Sequence, residues 1–406
     1  MRSGFCEACI AYVAMLLPGC GSSGGTPAST STQVQLTVFG ATPLSVAAQV
    51  AGGPWTALTS TSGSATFLVP SATSSYAVAV LCPIVSNQQL EAILEESASD
   101  TTTPTVSCLS STTVPLVVNF DVSAVAGLEA SVAVGDTLSA FWSGANSAAN
   151  IPAVTPGVED IAVAAYGSPP TASAFGVEIE RGVNVTGAPI TVPPMPAADK
   201  AGSAPISVAG VPVGFTNAIS AYYVTAGGTA IGINGNNASS YALLAASVVM
   251  PGDYYWIQSQ AADASGTHSV GVVHTSSIPQ TLSVSVPAAL AFDGPTPAAY
   301  PTFKTTYDGF GVTGKTSVTA ILSWSVAGVS TDIFVSSPFT SSTAQIAVPV
   351  LSSVPGFLPP PPATTAVQWA LLVSSATQPY LPILTRIPPN NTTAQYAAVS
   401  GTFAEP

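Results

Sequence analysis

His268 and His274 are the chain's two histidines, flanking the strand-like run 269–273. Six residues apart on a strand, they share a face but stand about 20 Å apart at ~3.3 Å per residue, so they cannot hold one metal ion or serve one catalytic centre. Either could join Asp253 or Asp263 and a serine in a relay that activates a hydroxyl. The elbow that presents such a serine, Gly-x-Ser-x-Gly between a strand and a helix, is not found in the body of the chain. Asp160, Glu178, Glu180, Asp253 and Asp263 are available as paired carboxylates for glycosidic chemistry. Glu178 and Glu180 fall on one face of a strand beside Arg181, where an ion pair explains them equally well.

Gly309 to Thr316 reads GFGVTGKT and fits the pattern of a phosphate-cradling loop letter for letter. Such a loop needs a strand before it and a helix after it, because the helix N-terminus and the loop amides hold the phosphates. The residues that follow, SVTAILSW, alternate like a strand, and Asp308-Gly309 signals a turn. The expectation is a glycine-rich turn. Tyr254-Tyr255-Trp256 follows a Pro-Gly-Asp turn. On a strand Tyr254 and Trp256 share a face and could stack on sugar rings, although core packing uses the same residues. No catalytic set, no metal set and no cofactor is expected from these residues.

Composition narrows the class. Charged residues are 6% of the 406, far below the ~25% of ordinary soluble domains, while hydrophobic residues are 47%. The surface must consist largely of Ser, Thr, Ala, Asn and Gly, which suits exported β-proteins and not long exposed helices. A net charge of −13 with six Lys and Arg argues against nucleic acid and against basic docking to anionic lipid.

The first twenty residues, MRSGFCEACIAYVAMLLPGC, join one basic residue to the apolar stretch Ala8–Leu17 and end in Leu17-Pro18-Gly19-Cys20. The stretch is too short to span a bilayer but fits a signal-peptide core. Here the chain resembles bacterial lipoprotein precursors. The resemblance implies a lipid on the Cys20 sulfur, cleavage before it, and a membrane tether through 21–32; plain secretion is the alternative. Once Cys6 and Cys9 leave, Cys82 and Cys108 remain, and export predicts a disulfide between them closing a ring of about 27 residues, against the alternative of two buried thiols.

Strand signals recur between Gly and Pro breaks, as in Thr281–Val286, Gln33–Phe39 and Tyr76–Leu81. One short helix is expected over 87–98, with Ser86 and Gln89 as a capping box and Leu90, Ile93 and Leu94 as its apolar stripe. The run VQLTVFGATPLSVAAQV from Val34 returns weakly as VNFDVSAVAGLEASVAV from Val118, an offset of about 84 residues, which suits one sandwich. The first copy, with its leading strand, the turn Gly40–Pro43 and Phe67-x-Val69-Pro70, resembles carboxypeptidase-regulatory-like or transthyretin-like modules, which implies a non-catalytic unit.

The expected architecture is all-β: tandem antiparallel Ig-like or transthyretin-like sandwiches over 33–112, 113–196, 197–294 and 295–406. The expected role is that of a non-enzymatic envelope lipoprotein with a structural or interaction function. The alternatives are a carbohydrate-binding surface lipoprotein using Tyr254 and Trp256, and a secreted hydrolase.

Overall fold

Alternation of apolar and polar residues along short runs dictates most of the strands. In Val114–Asp121, for example, Leu116, Val118 and Phe120 are buried and their neighbours are less so. The computed structural model describes residues 31–404 apart from 109–111, 136, 169, 171, 236–237, 279–280, 340–341 and 379–386. Cys20, the leader and most of the segment 21–32 lie outside the described residues. Within them the chain is all-β, with 27 strands and two three-residue 3-10 turns.

The first seven strands are β1 (Thr32–Gly40), β2 (Ser45–Val50), β3 (Thr56–Ala57), β4 (Ser64–Val69), β5 (Ser75–Leu81), β6 (Gln88–Ser97) and β7 (Thr105–Cys108). They form two layers, β4-β1-β7 over β3-β2-β5-β6. The next seven are β8 (Val114–Asp121), β9 (Glu129–Val134), β10 (Thr137–Ser143), β11 (Asn146–Val154), β12 (Gly157–Tyr166), β13 (Gly176–Val185) and β14 (Ile190–Thr191). They repeat the order as β11-β8-β14 over β10-β9-β12-β13. A third set, β15 (Gly202–Ala209), β16 (Phe215–Val224), β17 (Ala230–Gly232), β18 (Ser240–Leu243), β19 (Tyr254–Asp263), β20 (His268–Ser276) and β21 (Leu282–Ser285), gives β18-β15-β21 over β17-β16-β19-β20. The last six are β22 (Thr302–Thr306), β23 (Lys315–Val326), β24 (Val329–Pro338), β25 (Thr343–Ala347), β26 (Ala366–Ala376) and β27 (Thr393–Ala404). They place β22-β25 against β24-β23-β26-β27.

The four-stranded layers of the first, third and fourth units are hydrogen-bonded edge to edge into one twelve-stranded sheet. β20 pairs antiparallel with β27, and β24 pairs parallel with β6. The sheet ends in β17 and β3, strands of three and two residues, which leave little open ladder for unwanted pairing. The second unit's sheet stays separate but lays the small side chains of Ala133, Ala162 and Ala164 against a core shared with Tyr223, Ile231 and Ile233 of the third unit.

The sequence predicts a helix over 87–98, and the structure corrects it to the strand β6. Ser86 does not cap anything: Ser86 and Asn87 take φ of 51° and 64° in a two-residue hairpin turn closed by reciprocal bonds between Val85 and Gln88. The helical period has a physical origin. β6 is covered on both faces, with Ala92 and Leu94 in the first unit's core and Ile93 in the large shared core, so its apolar residues do not alternate.

The predicted disulfide is present. Cys82 follows β5, Cys108 ends β7, and the two are bonded at a sequence separation of 26. The ring encloses β6, the strand through which the first unit joins the fourth.

Candidate functional site

The best-defined aromatic cluster lies on the twelve-stranded sheet where β16, β19, β20, β26 and β27 run side by side. Alternation along β19 sends Tyr255 and Ile257 into the large core and Tyr254 and Trp256 to the opposite face. There the Trp256 ring stacks on Tyr222 of β16 at 4.5 Å and 28°. Val224, Val273, Leu372 and Tyr396 complete the cluster. The connection before β27 covers it: Tyr254 donates its hydroxyl hydrogen to the Pro388 carbonyl at 2.7 Å, and Thr275 does the same to Pro389 at 2.7 Å. Trp256 is only 5% exposed, and its Nε1 has no hydrogen-bond partner among the described residues. Residues 387–392 thus lie against this face, where Trp256 is buried and Tyr222 and Tyr254 are partly exposed. Tyr222 and Tyr396 come from strands remote in sequence from Trp256, and nothing in the local pattern of β16 or β27 shows that they meet it.

Of the sequence-predicted carboxylates, Asp160 and Asp253 converge on Arg181, while Glu178 and Glu180 lie on the same strand, β13. Asp253 sits with its side chain fully buried in the turn before β19. It accepts hydrogen bonds from Arg181 Nη1 and Nη2, the Tyr223 hydroxyl and the amides of Ala226 and Met250. Burial alone would raise its pKa, but these donors outweigh it and hold the carboxyl below its ordinary range. Asp160 lies 3.8 Å from Arg181 Nη1 and accepts the Gly182 amide. The group therefore fastens β13 of the second unit to the third.

Glu178 behaves differently. Burial, the charge of Asp199, a hydrogen bond to Asp199 and the charge of Glu180 push it up to about 7. Asp199 in turn accepts the Ser247 hydroxyl at 2.6 Å. Two carboxyls close enough to hydrogen-bond one another stand too close to flank a glycosidic bond, which requires ~5 Å or more between them. Asp263 lies far along β19, in a tight turn with His268. Partial burial works against it, yet hydrogen bonds from His268, Ser265 and Thr267 hold its carboxyl down to about 2. Ser265 bonds the carboxylate that His268 also meets, so these contacts do not form the relay that a nucleophilic serine needs.

The two histidines sit at opposite ends of β20, as the spacing implied. His274 Nδ1 is 3.1 Å from the Thr393 hydroxyl, and burial pushes the imidazole pKa down. Gly309–Gly314 is a loop that leads directly into β23, of which Lys315 and Thr316 are the first residues, and not into a helix. Its Gly311 and Val312 amides, which a phosphate would need, both donate to the Gln395 side chain, and Lys315 pairs with Asp100 at 2.8 Å.

A shallow groove of about 360 Å³ opens on the sheet between the Ser265–Thr267 turn, Ser323, Gln368 and Ser400. Its walls mix small hydroxyls and the Gln368 amide with Ile321, Trp369 and Ala370. Among the described residues no group of three or more His, Cys, Asp or Glu is placed to hold a metal ion, and no helix is long and apolar enough to cross a membrane. No family model matches the chain, and no curated protein matches it in sequence.

Proposed function

We propose that this chain is an exported, lipid-tethered cell-envelope protein, built of transthyretin-like sandwich modules, that serves as a non-catalytic structural and interaction scaffold. The observation that carries the reading is the edge-to-edge union of three modules in one twelve-stranded sheet. Backbone ladders between modules resist bending far better than the small polar contacts of ordinary domain boundaries, as a protein that displays a surface at a distance from a membrane requires. The Cys82–Cys108 disulfide supports an oxidising compartment. The apolar leader ending in Cys20, followed by Gly21–Gly25, supports a tether with a flexible root. The dense hydrogen bonding of Asp253, Asp263 and Gln395 to their own surroundings supports a structural use for groups that could otherwise do chemistry.

The test is metabolic labelling of the full chain with a fatty-acid probe in a bacterial host, followed by cell fractionation. The wild-type chain is expected to carry the label and sediment with membranes. Cys20→Ser is expected to lose both. Intact mass showing Met1 retained on a cytosolic, unlabelled chain overturns the reading.

A further inference from the structure

In each of the first three units a seventh strand lies parallel to the first: β7 beside β1, β14 beside β8 and β21 beside β15. The fourth unit repeats the same order through six strands, but among the described residues nothing pairs with β22 on the corresponding edge. The direction of that edge follows from its ladder. Tyr307 donates to Ser342 and Val348 donates to Pro301, so odd-numbered residues turn their backbone groups toward β25. Thr302, Lys304 and Thr306 therefore turn theirs away from it, and their side chains are exposed. Their amides have no backbone acceptor among the described residues. In the first unit the corresponding amides, those of Gln35 and Thr37, donate to Thr102 and Pro104 just before β7.

The core beneath the open edge is already closed, by the connection that precedes β22. Leu290 is 1% exposed, and Phe292 packs on Phe303 and Trp369 at 6.1 and 5.6 Å. Backbone from this connection reaches β22 only through side chains, with Thr305 donating to the Ala291 carbonyl and Tyr307 to that of Ala288. Apolar burial is thus satisfied while the ladder is left open.

We propose that this edge of β22 is a docking seat for an extended strand from a different protein, not a second copy of this chain, added parallel to β22 where the other units carry their seventh strand. The occupant's chemistry is given by the three strands that fill the seat elsewhere. They alternate apolar with small hydroxylated residues: Thr105-Val106-Ser107-Cys108, Leu282-Ser283-Val284-Ser285 and the two-residue Ile190-Thr191. Main-chain bonds supply the affinity and alternate side chains the register. The inference deepens the interaction role proposed above, and it is tested independently of export and lipidation.

The probe is a synthetic peptide with the sequence of Thr281–Val286, TLSVSV, added to the full chain and followed by amide hydrogen exchange. The amides of Thr302, Lys304 and Thr306 are expected to exchange freely in the dilute protein and to slow by at least about tenfold at saturating peptide. Peptide N-methylated at alternate residues is expected to give no slowing. Lys304→Pro removes the central donor of the open edge without touching the β25 ladder. It is expected to abolish peptide binding while Tyr307 keeps its protection. The proposal is overturned if saturating peptide slows none of the three amides, if they are already protected in the dilute free chain, or if N-methylation leaves binding intact. Protection that grows with protein concentration alone would assign the seat to a second copy and also overturn it. Any of these results can occur with the lipid label intact on Cys20.

Discussion

Arg181 and Asp253 meet as a two-pronged pair across the boundary between the second and third units, with guanidinium nitrogens 3.2 and 2.7 Å from the two carboxylate oxygens. The carboxylate is buried and also accepts Tyr223 and two amides, so removing Arg181 leaves a buried charge without its counter-charge, whereas removing Asp253 leaves a partly exposed guanidinium that still has Asp160 at 3.8 Å. Arg181→Met is expected to lower stability by about 3–5 kcal/mol and Asp253→Asn by less, read from urea denaturation. The pH dependence has a definite sign. The folded-state pKa lies below the ordinary 3.8, so the pair's contribution is complete above that value and is lost as pH falls through the depressed pKa. Asp253→Asn should remove that part of the acid transition. An unchanged acid limb would show that Asp253 is not held in its ionised form.

Three glutamates act in the opposite sense. Burial, aided by the charge of Asp100, pushes Glu96 up to about 7, burial against the 351–358 segment does so for Glu91, and burial with Asp199 does so for Glu178. The folded chain then keeps protons that the unfolded chain releases above 4.5. Stability is greatest below that value and falls as pH rises through about 7. For Glu91, 2% exposed, the steepest slope is on the order of 1.4 kcal/mol per pH unit. Glu91→Gln should raise the denaturation midpoint at pH 8 and flatten the profile between about pH 4.5 and 7. A variant profile that runs parallel to the wild type would remove Glu91 as a source of the slope.

The Cys82–Cys108 ring makes a prediction that reaches beyond the first unit. Opening a loop of this length costs about 3.5 kcal/mol on the chain-entropy account. Because β6 lies inside the ring and pairs with β24, the double variant Cys82→Ser/Cys108→Ser should loosen that parallel ladder as well. Hydrogen exchange is expected to accelerate at residues 90–94 and 330–336 before it does so at β26 and β27. Uniform acceleration across the twelve strands would show that the sheet opens as one unit.

Gly271 faces Tyr396 where β20 joins β27, and a Cβ there would lie 2.3 Å from the tyrosine ring. The far end of the tyrosine, at Cζ, Cε1 and the hydroxyl, fills the space that a Cβ would need, so a larger residue makes the ring move. Gly271→Ala is expected to cost about 1–3 kcal/mol by overpacking, and Tyr396→Leu in the same chain should recover part of it. Strictly additive losses would show that the two positions do not constrain one another.

How much of this was legible depended on which faces are buried. Runs with one wet face, such as Thr281–Val286, alternate and were read as strands, and Cys82 and Cys108 were paired correctly from the export argument. β6 was misread because both its faces are dry, leaving Leu90, Ile93 and Leu94 at helical spacing. The union of β20 with β27 and of β24 with β6 was invisible for another reason. It joins strands more than a hundred residues apart through backbone groups, which every residue carries and no side chain advertises. The fate of Trp256 likewise depends on a connection, 387–392, whose proline-rich sequence says nothing of where it lies.

That connection gives the last prediction. Two hydroxyls hold it over the aromatic cluster: Tyr254 bonds Pro388, and Thr275 bonds Pro389 while accepting the Thr392 amide at 2.7 Å. Tyr254→Phe keeps the ring and removes one bond, worth about 0.5–1.5 kcal/mol. Thr275→Val keeps the volume but strands a carbonyl and an amide, and should cost more. In the double variant the segment is expected to lift often enough for acrylamide to quench Trp256, whose ring is shielded in the parent. Carried out in a chain whose four other tryptophans are replaced by Phe, the measurement reads Trp256 alone. Quenching that rises in the double variant, with the urea midpoint still well above assay conditions, means that residues 387–392 gate access to the cluster. Quenching that stays at the parent level means that the ring is sealed by its stacking on Tyr222 and by Tyr396, with the covering segment contributing stability alone.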